Sequence, residues 1–411
     1  MAEWKRMRLE ALAAATKSAM ATGPFGSAVS SKNFRETGTP MLRGSNLSED
    51  VGVRLLDSEL VYLDPELATT FSRSTARRGD LIFTCWGTVG QIGLLDATSR
   101  YAEYIVSNKQ MKLTPDVSKV DSLFLYYFLS QPTMLDLVRG QAIGSTIPGF
   151  NLGQLRALPV VVPALAEQRA IAEVLGALDD KIAANTRVAE TSAKLAQSLL
   201  MSALDSGRTT SPLADITLLL SRGVTPSYTD EEEASVLILN QKCVRDQRVS
   251  LGPARHTRLD RVRSDKLLVP EDVLVNSTGQ GTLGRVARWT RNGEATVDSH
   301  ITIVRFDPSR VDVACAGVAM LALETEIEAL GEGSTGQTEL SRVELGRLKV
   351  SLPSDEVSRM LGVDLKAMSR AESAVLSESL TLSTVRDTLL AQLMSGKLRV
   401  KDAEKLVEEV V

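Results

Sequence analysis

Basic side chains crowded between Lys242 and Lys266 carry the clearest chemical potential in this chain. Eight cations stand there (Lys242, Arg245, Arg248, Arg255, Arg258, Arg261, Arg263 and Lys266) against Asp246, Asp260 and Asp265. The segment is thus strongly positive inside a protein of net charge −4. Arginine predominates, and its planar fork suits phosphates or guanine edges; the alternative reading is a solubilising loop. A thinner cationic group, Arg73, Arg77 and Arg78, precedes the strand-like GDLIF. Two GTxG loops, Gly87–Gly90 and Gly281–Gly284, permit close backbone approach. They serve either as tight turns or as amide contacts to phosphate, with Thr88 and Thr282 at their tips. LRGSNL (42–47) aligns with LNQKCV (239–244), setting Arg43, Ser45 and Asn46 opposite Asn240, Gln241 and Lys242. Such side chains either read base edges or form turns.

A catalytic constellation is not legible. GQGTLGRV (279–286) and GEGSTGQT (331–338) lack the Gly-Lys-Ser/Thr of a phosphate-binding loop, and GxSxG, HExxH and calcium-loop patterns are missing. DEEE at 230–233 reads as a solvated loop. Cys85, Cys243 and Cys315 are far apart and only His256 and His300 are present. No metal site or disulfide is therefore expected. The charged start MAEWKRMRLEALAAA and the lack of an apolar run of about 20 residues point to a reducing cytoplasm.

The elements that must position these residues occur twice. Leu155, Leu158 and Pro163 fall opposite Leu345, Leu348 and Pro353 at a constant offset of 190. GDLIFTCWGTVGQIG (from Gly79) faces EDVLVNSTGQGTLGRVA (from Glu271), with the aspartates offset by 192 and the GTxG loops by 194. So long a period indicates a duplicated domain rather than a solenoid. Short apolar segments at 80–86, 110–114, 236–239, 272–276 and 300–306 read as strands. DSLFLYYFLSQP (121–132) and its counterpart from Ala316 to Leu323 read as buried helices. The fold class expected is α+β: two mixed domains, 1–163 and 208–353, each followed by a long helical segment, 164–207 and 354–411.

Those segments carry apolar seams. In the first, Ile171, Leu175, Leu178, Ile182, Ala189, Ala196 and Leu199 recur at spacings of three, four or their sum, with Asn185 interrupting; a buried Asn commonly fixes coiled-coil register. In the second, Leu361, Met368, Val375, Leu382 and Leu389 stand seven apart, while Leu365, Glu372, Ser379, Arg386 and Leu393 between them are mixed. If a pseudo-two-fold axis relates the repeats, the helices run antiparallel. At 1.5 Å per residue a 40-residue helix spans about 60 Å. That exceeds the ~34–36 Å of one DNA turn.

At this point the chain resembles the specificity subunit of type I restriction–modification systems. The resemblance rests on TGPFGSAV (22–29), GDLIFTCWGTVGQIGLL (79–95), the stretch from IPGFNLGQLRALPVVVPALAEQR to IAANTRV (147–188), SRGVTPSY (221–228) and LLAQLMSGKLRV (389–400). SDEVSRM (354–360) departs from it, lacking the AEQR of 166–169. The family implies two target-recognition domains, each reading one half of a split, asymmetric double-stranded DNA site, held by an antiparallel coiled-coil spacer. It implies a non-catalytic chain with two methyltransferase (modification) and two restriction/translocase subunits as partners. S-adenosylmethionine, ATP and Mg are then expected on those partners and no cofactor on this chain. Two other readings stay open: a coiled-coil adaptor, and a DNA adenine methyltransferase, against which the lack of an Asn/Asp-Pro-Pro-aromatic segment counts.

Overall fold

The computed structural model describes residues 4–24, 28–144, 148–231, 233–331 and 339–408. The glycine-rich stretch at 332–338, residues 145–147 and Glu232 of the acidic run lie outside the described residues. The architecture is α+β, and the chain divides into two compact units. One comprises 1–184 with 378–411, the other 185–377. Among the described residues no helix is long and apolar enough to cross a membrane.

In the first unit a four-stranded antiparallel sheet runs in the order Met20–Thr22, Gln110–Leu113, Leu81–Thr84, Ile92–Leu94. Its apolar strands cover the helix Ser122–Leu129, whose first amides donate to the Asp121 carboxylate. A five-stranded sheet beside it contains one parallel pair, Thr39–Leu42 with Glu103–Val106. The strand Lys5–Arg8 pairs with Pro159–Val162 just before the first long helix.

The second unit repeats this plan. Thr217–Arg222, Ile301–Phe306, Asp272–Asn276 and Val286–Trp289 form a sheet of the same order. Ser235–Leu239 runs parallel to Ala295–Val297, and Arg208–Pro212 pairs with Lys349–Pro353. Asp312 caps the helix Val313–Ala322. Equivalence extends to the backbone. Gly79 and Glu271, before the central strands, have φ of +93° and +76° and donate to Leu95 and Trp289 carbonyls at 2.6 and 2.7 Å. The duplication read from the sequence is thus a duplication of topology.

The long helices are Leu165–Asp205 and Asp355–Met394, 41 and 40 residues. In the first unit, the early half of one packs against the late half of the other. Asp179 meets Arg386 and Lys181 meets Glu378, so numbering rises along one helix as it falls along its neighbour: the pairing is antiparallel. Ile171, Leu175, Leu178, Leu382 and Leu389 are buried in that unit's core, and Ile182 packs on its edge. In the second unit, Ala196 and Leu200 share a core with Leu365, and Leu361 and Met368 pack against it.

The structure corrects the seam in places. Leu200, not Leu199, takes the core position, and Val375 is only half-buried. Of the mixed intervening positions Leu365, Arg386 and Leu393 are buried, and so is Asn185. A straight helix drifts about 20° per heptad, and each helix half also packs on its own lobe, so the buried stripe is wider than a two-position seam.

Candidate nucleic-acid interface

Each lobe gathers polar side chains where a GTxG loop, a strand-end turn and a returning loop meet. The two central strands end in Thr84 and Asn276, and the next residues anchor the returning loop identically. Phe150 donates to the Cys85 carbonyl and Leu340 to that of Ser277, both at 2.9 Å. Trp86 bridges to Gly149 and Thr278 to Glu339, the first pair of equivalents 192 residues apart and the second 190. Gly87 and Gly281 have φ of +87° and +73° with open space where a Cβ would point. Gly90 and Gly284 instead close against the next helical segment, at Arg139 and Glu328. The loops are therefore glycine turns open on one side and packed on the other.

In the first lobe this arrangement builds a pocket of about 580 Å³. Arg43, Ser45 and Thr88, all singled out in the sequence, line it together. Trp86, half exposed, forms one wall, with its ring against the Gly149 backbone. Thr88 Oγ1 donates to Gln91 Oε1 at 2.6 Å, and Gln91 Nε2 reaches the Leu47 carbonyl at 3.3 Å. Gln110 is fully buried, and its Oε1 accepts from the Ser107 hydroxyl. Gln110 Nε2 and Arg43 Nε are left as buried donors without a partner.

The second lobe solves the same problem with different side chains. Asn276, fully buried, donates to the Gln241 carbonyl at 2.9 Å and to that of Thr282 at 3.1 Å, tying turn to loop. Its Oδ1, like Gln241 Oε1, is a buried acceptor without a partner. Asn240 donates to the Pro253 carbonyl and accepts from the Lys242 amide, while Lys242 is exposed. Thr278 Oγ1 and His300 Nδ1 are 2.6 Å apart at the edge of the loop. Arg255 stacks 3.7 Å over the Tyr228 ring.

Several candidates stand elsewhere. Asn46 is fully buried, with its Nδ2 donating to the Leu56 carbonyl and its Oδ1 accepting from the Arg43 amide. It shapes the turn that presents Arg43 and offers no free edge. Strand register puts Arg77, opposite Glu103, at the far end of its sheet from Leu42 and Val106, which lead into the pocket. Arg77 is paired with Glu103 at 2.8 Å, Arg78 donates to the Ser99 carbonyl, and Arg73 is exposed. The cationic run is similarly divided. Arg255 lies opposite Ile238, near the turn, whereas Arg258 lies opposite Ser235 at the other end. Arg258 and Arg263 fork onto Asp260 and Asp265, Arg245 meets Asp246, and Arg248 bonds Glu372. Arg261 is exposed, and Lys266 is buried on Ser221 and the Arg222 carbonyl. Much of the local positive charge is thus neutralised inside the lobe.

Trp86, Gln91, Gln110, Asn276, Thr278 and His300 escaped the sequence reading. The Trp86 position, next to the first GTxG loop, was their one available signal. All three cysteines are buried and free. Burial pushes the Cys85 thiol up to about 11 and that of Cys315 up to about 12. Among the described residues no group of three or more His, Cys, Asp or Glu could hold a metal ion.

The frame thus repeats while its hydrogen-bonding side chains change. Residues 25–191 match the family described as "Type I restriction modification DNA specificity domain". That stretch is therefore similar to the DNA specificity domains of type I restriction–modification systems, in line with the resemblance. A type I restriction–modification S subunit from M. genitalium is similar in fold, with TM-score 0.60 at 16% identity, over 95% of this chain and 96% of that one. An HsdS subunit from Thermoanaerobacter tengcongensis aligns over 96% of this chain and 97% of its own, at 16% identity and TM-score 0.36. No curated protein matches the chain.

Proposed function

We propose that this chain is the subunit through which a type I restriction–modification complex reads DNA, each lobe taking one half of a bipartite, asymmetric duplex site. It performs no chemical step itself. Two methyltransferase subunits, carrying S-adenosylmethionine, and two restriction/translocase subunits, using ATP and Mg, act where it directs them. One observation carries the reading: equivalent positions of one frame bear unlike readers, Trp86 against Thr278 and Arg43 against Asn240. Conserved positioning with altered hydrogen-bonding is what separate half-sites of different sequence demand. The exposed Lys109, Lys242 and Arg255 suit phosphates beside those edges.

The test is duplex affinity of the chain with its modification partners, titrated against salt, alongside a map of methylated adenines in cells. Affinity is expected to fall steeply with salt, by roughly 0.9 in log–log slope per phosphate contact. Removing the chain should abolish one modification pattern. Salt-independent binding together with an unchanged adenine map would overturn the assignment.

A further inference from the structure

The pocket of the first lobe has a more specific chemistry than its neighbour's, and the following rests on the DNA-reading role just given. Its walls include Phe34, Met41 and the half-exposed Trp86. Its floor holds a backbone gap at Gly44, where a Cβ would stand 3.6 Å from Gln110 Nε2 and 3.8 Å from Thr88 Oγ1. The two buried polar atoms left without partners, Gln110 Nε2 and Arg43 Nε, are both donors. Apolar walls beside unpaired donors call for a ligand group that joins a hydrocarbon surface to an acceptor.

Among the base edges of the major groove, thymine offers that combination, with its C5-methyl beside the O4 acceptor. Cytosine presents an amino donor to donors already present, which leaves buried groups unpaired. Guanine satisfies donors but brings no methyl to the apolar wall. We propose that this pocket reads a thymine in the half-site of the first lobe, with Trp86 covering its methyl group and Gln110, aided by Arg43, donating to O4. The second lobe is not built for it. Thr278 stands in place of Trp86, and the unpaired buried atoms there, Asn276 Oδ1 and Gln241 Oε1, are acceptors.

The experiment uses the chain assembled with its modification partners and its mapped site. Each thymine in turn is replaced by deoxyuridine, which removes only the methyl group. At one position in one half-site, deoxyuridine should weaken binding about fourfold, the value of one buried methyl group. Trp86→Ala should make thymine and deoxyuridine bind equally at that position and leave discrimination at every other position intact, and Trp86→Phe should restore the difference. Two results overturn the proposal. One is a wild-type complex indifferent to every thymine methyl; the other is a Trp86→Ala loss equal for thymine and deoxyuridine duplexes. Failure of the unaltered complex to bind any duplex would instead refute the DNA-reading role itself.

Discussion

Arg386 occupies a core position of the second long helix with its charge retained. Its side chain is about 5% exposed, and Nη1 donates to Asp179 at 2.9 Å. Asp179 also accepts from the Tyr127 hydroxyl, and Arg54 nearby bonds Asp96 at 2.8 Å. Removing one partner of such a pair strands the other charge, at a cost of about 3–5 kcal/mol. Arg386→Leu is therefore expected to lower the unfolding free energy of the first unit by that amount. The double variant Asp179→Leu with Arg386→Leu should regain most of it. Denaturant titrations of the three proteins check this, and a double variant no better than the single one would show that the pair itself is required. This contact was not legible in the sequence. Its partners are 207 residues apart, and an arginine in a heptad stripe reads as a break. By contrast the grouping of Arg43, Ser45 and Thr88 around one pocket was legible, because each lies beside a turn signalled by glycine. Gln110 was not: its role depends on a strand pairing that brings it under Gly44.

At the level of elements, the GTxG turns separate two demands on glycine. Gly281 needs only a positive φ, with nothing near its missing side chain. Gly284 has φ +80° and would also place a Cβ 2.5 Å from the Glu328 Cα. Gly281→Ala should cost about 1–2 kcal/mol from backbone conformation alone. Gly284→Ala should cost clearly more, since the helix Glu324–Ala329 must shift. Thermal unfolding of the two variants distinguishes them, and equal losses would refute the packed-side account. The main strands and both long helices were readable from apolar runs and periodicity. The two- and three-residue strands of the outer sheet in the first lobe, such as Phe34–Arg35 and Val61–Leu63, were not. They are too short to show alternation, and their place is set by pairing. The first helix stripe was read one residue off at Leu199 because a fixed spacing ignores the lobe packed beside each helix.

For the whole molecule, the first unit is closed by both ends of the chain. Its core takes Leu382, Leu389, Leu390, Leu393 and Met394 from the last stretch, and Trp4 lies near Gly396. Burial of each large apolar side chain contributes roughly 1.5–3 kcal/mol. A chain ending at Ser377 thus loses about as much as the 5–15 kcal/mol that holds a typical domain together. Limited proteolysis should find residues 4–184 degraded in that truncation while 185–377 stay protected. Persistence of a protected first unit would contradict the shared core. Its discontinuity was invisible in a repeat read as two consecutive copies, because the copies describe sequence ancestry and the cores describe packing.

That arrangement reverses the order of completion during translation. The lobe encoded second has all its residues as soon as the ribosome passes Ser377, whereas the lobe encoded first lacks part of its interior until the final helix emerges. At about 5–20 residues per second, the interval between Ala184 and the terminal segment lasts on the order of 10–40 s. Throughout it, the nascent chain carries an unfinished apolar surface at its leading end, the stage at which holding chaperones or early-arriving partner chains are most needed.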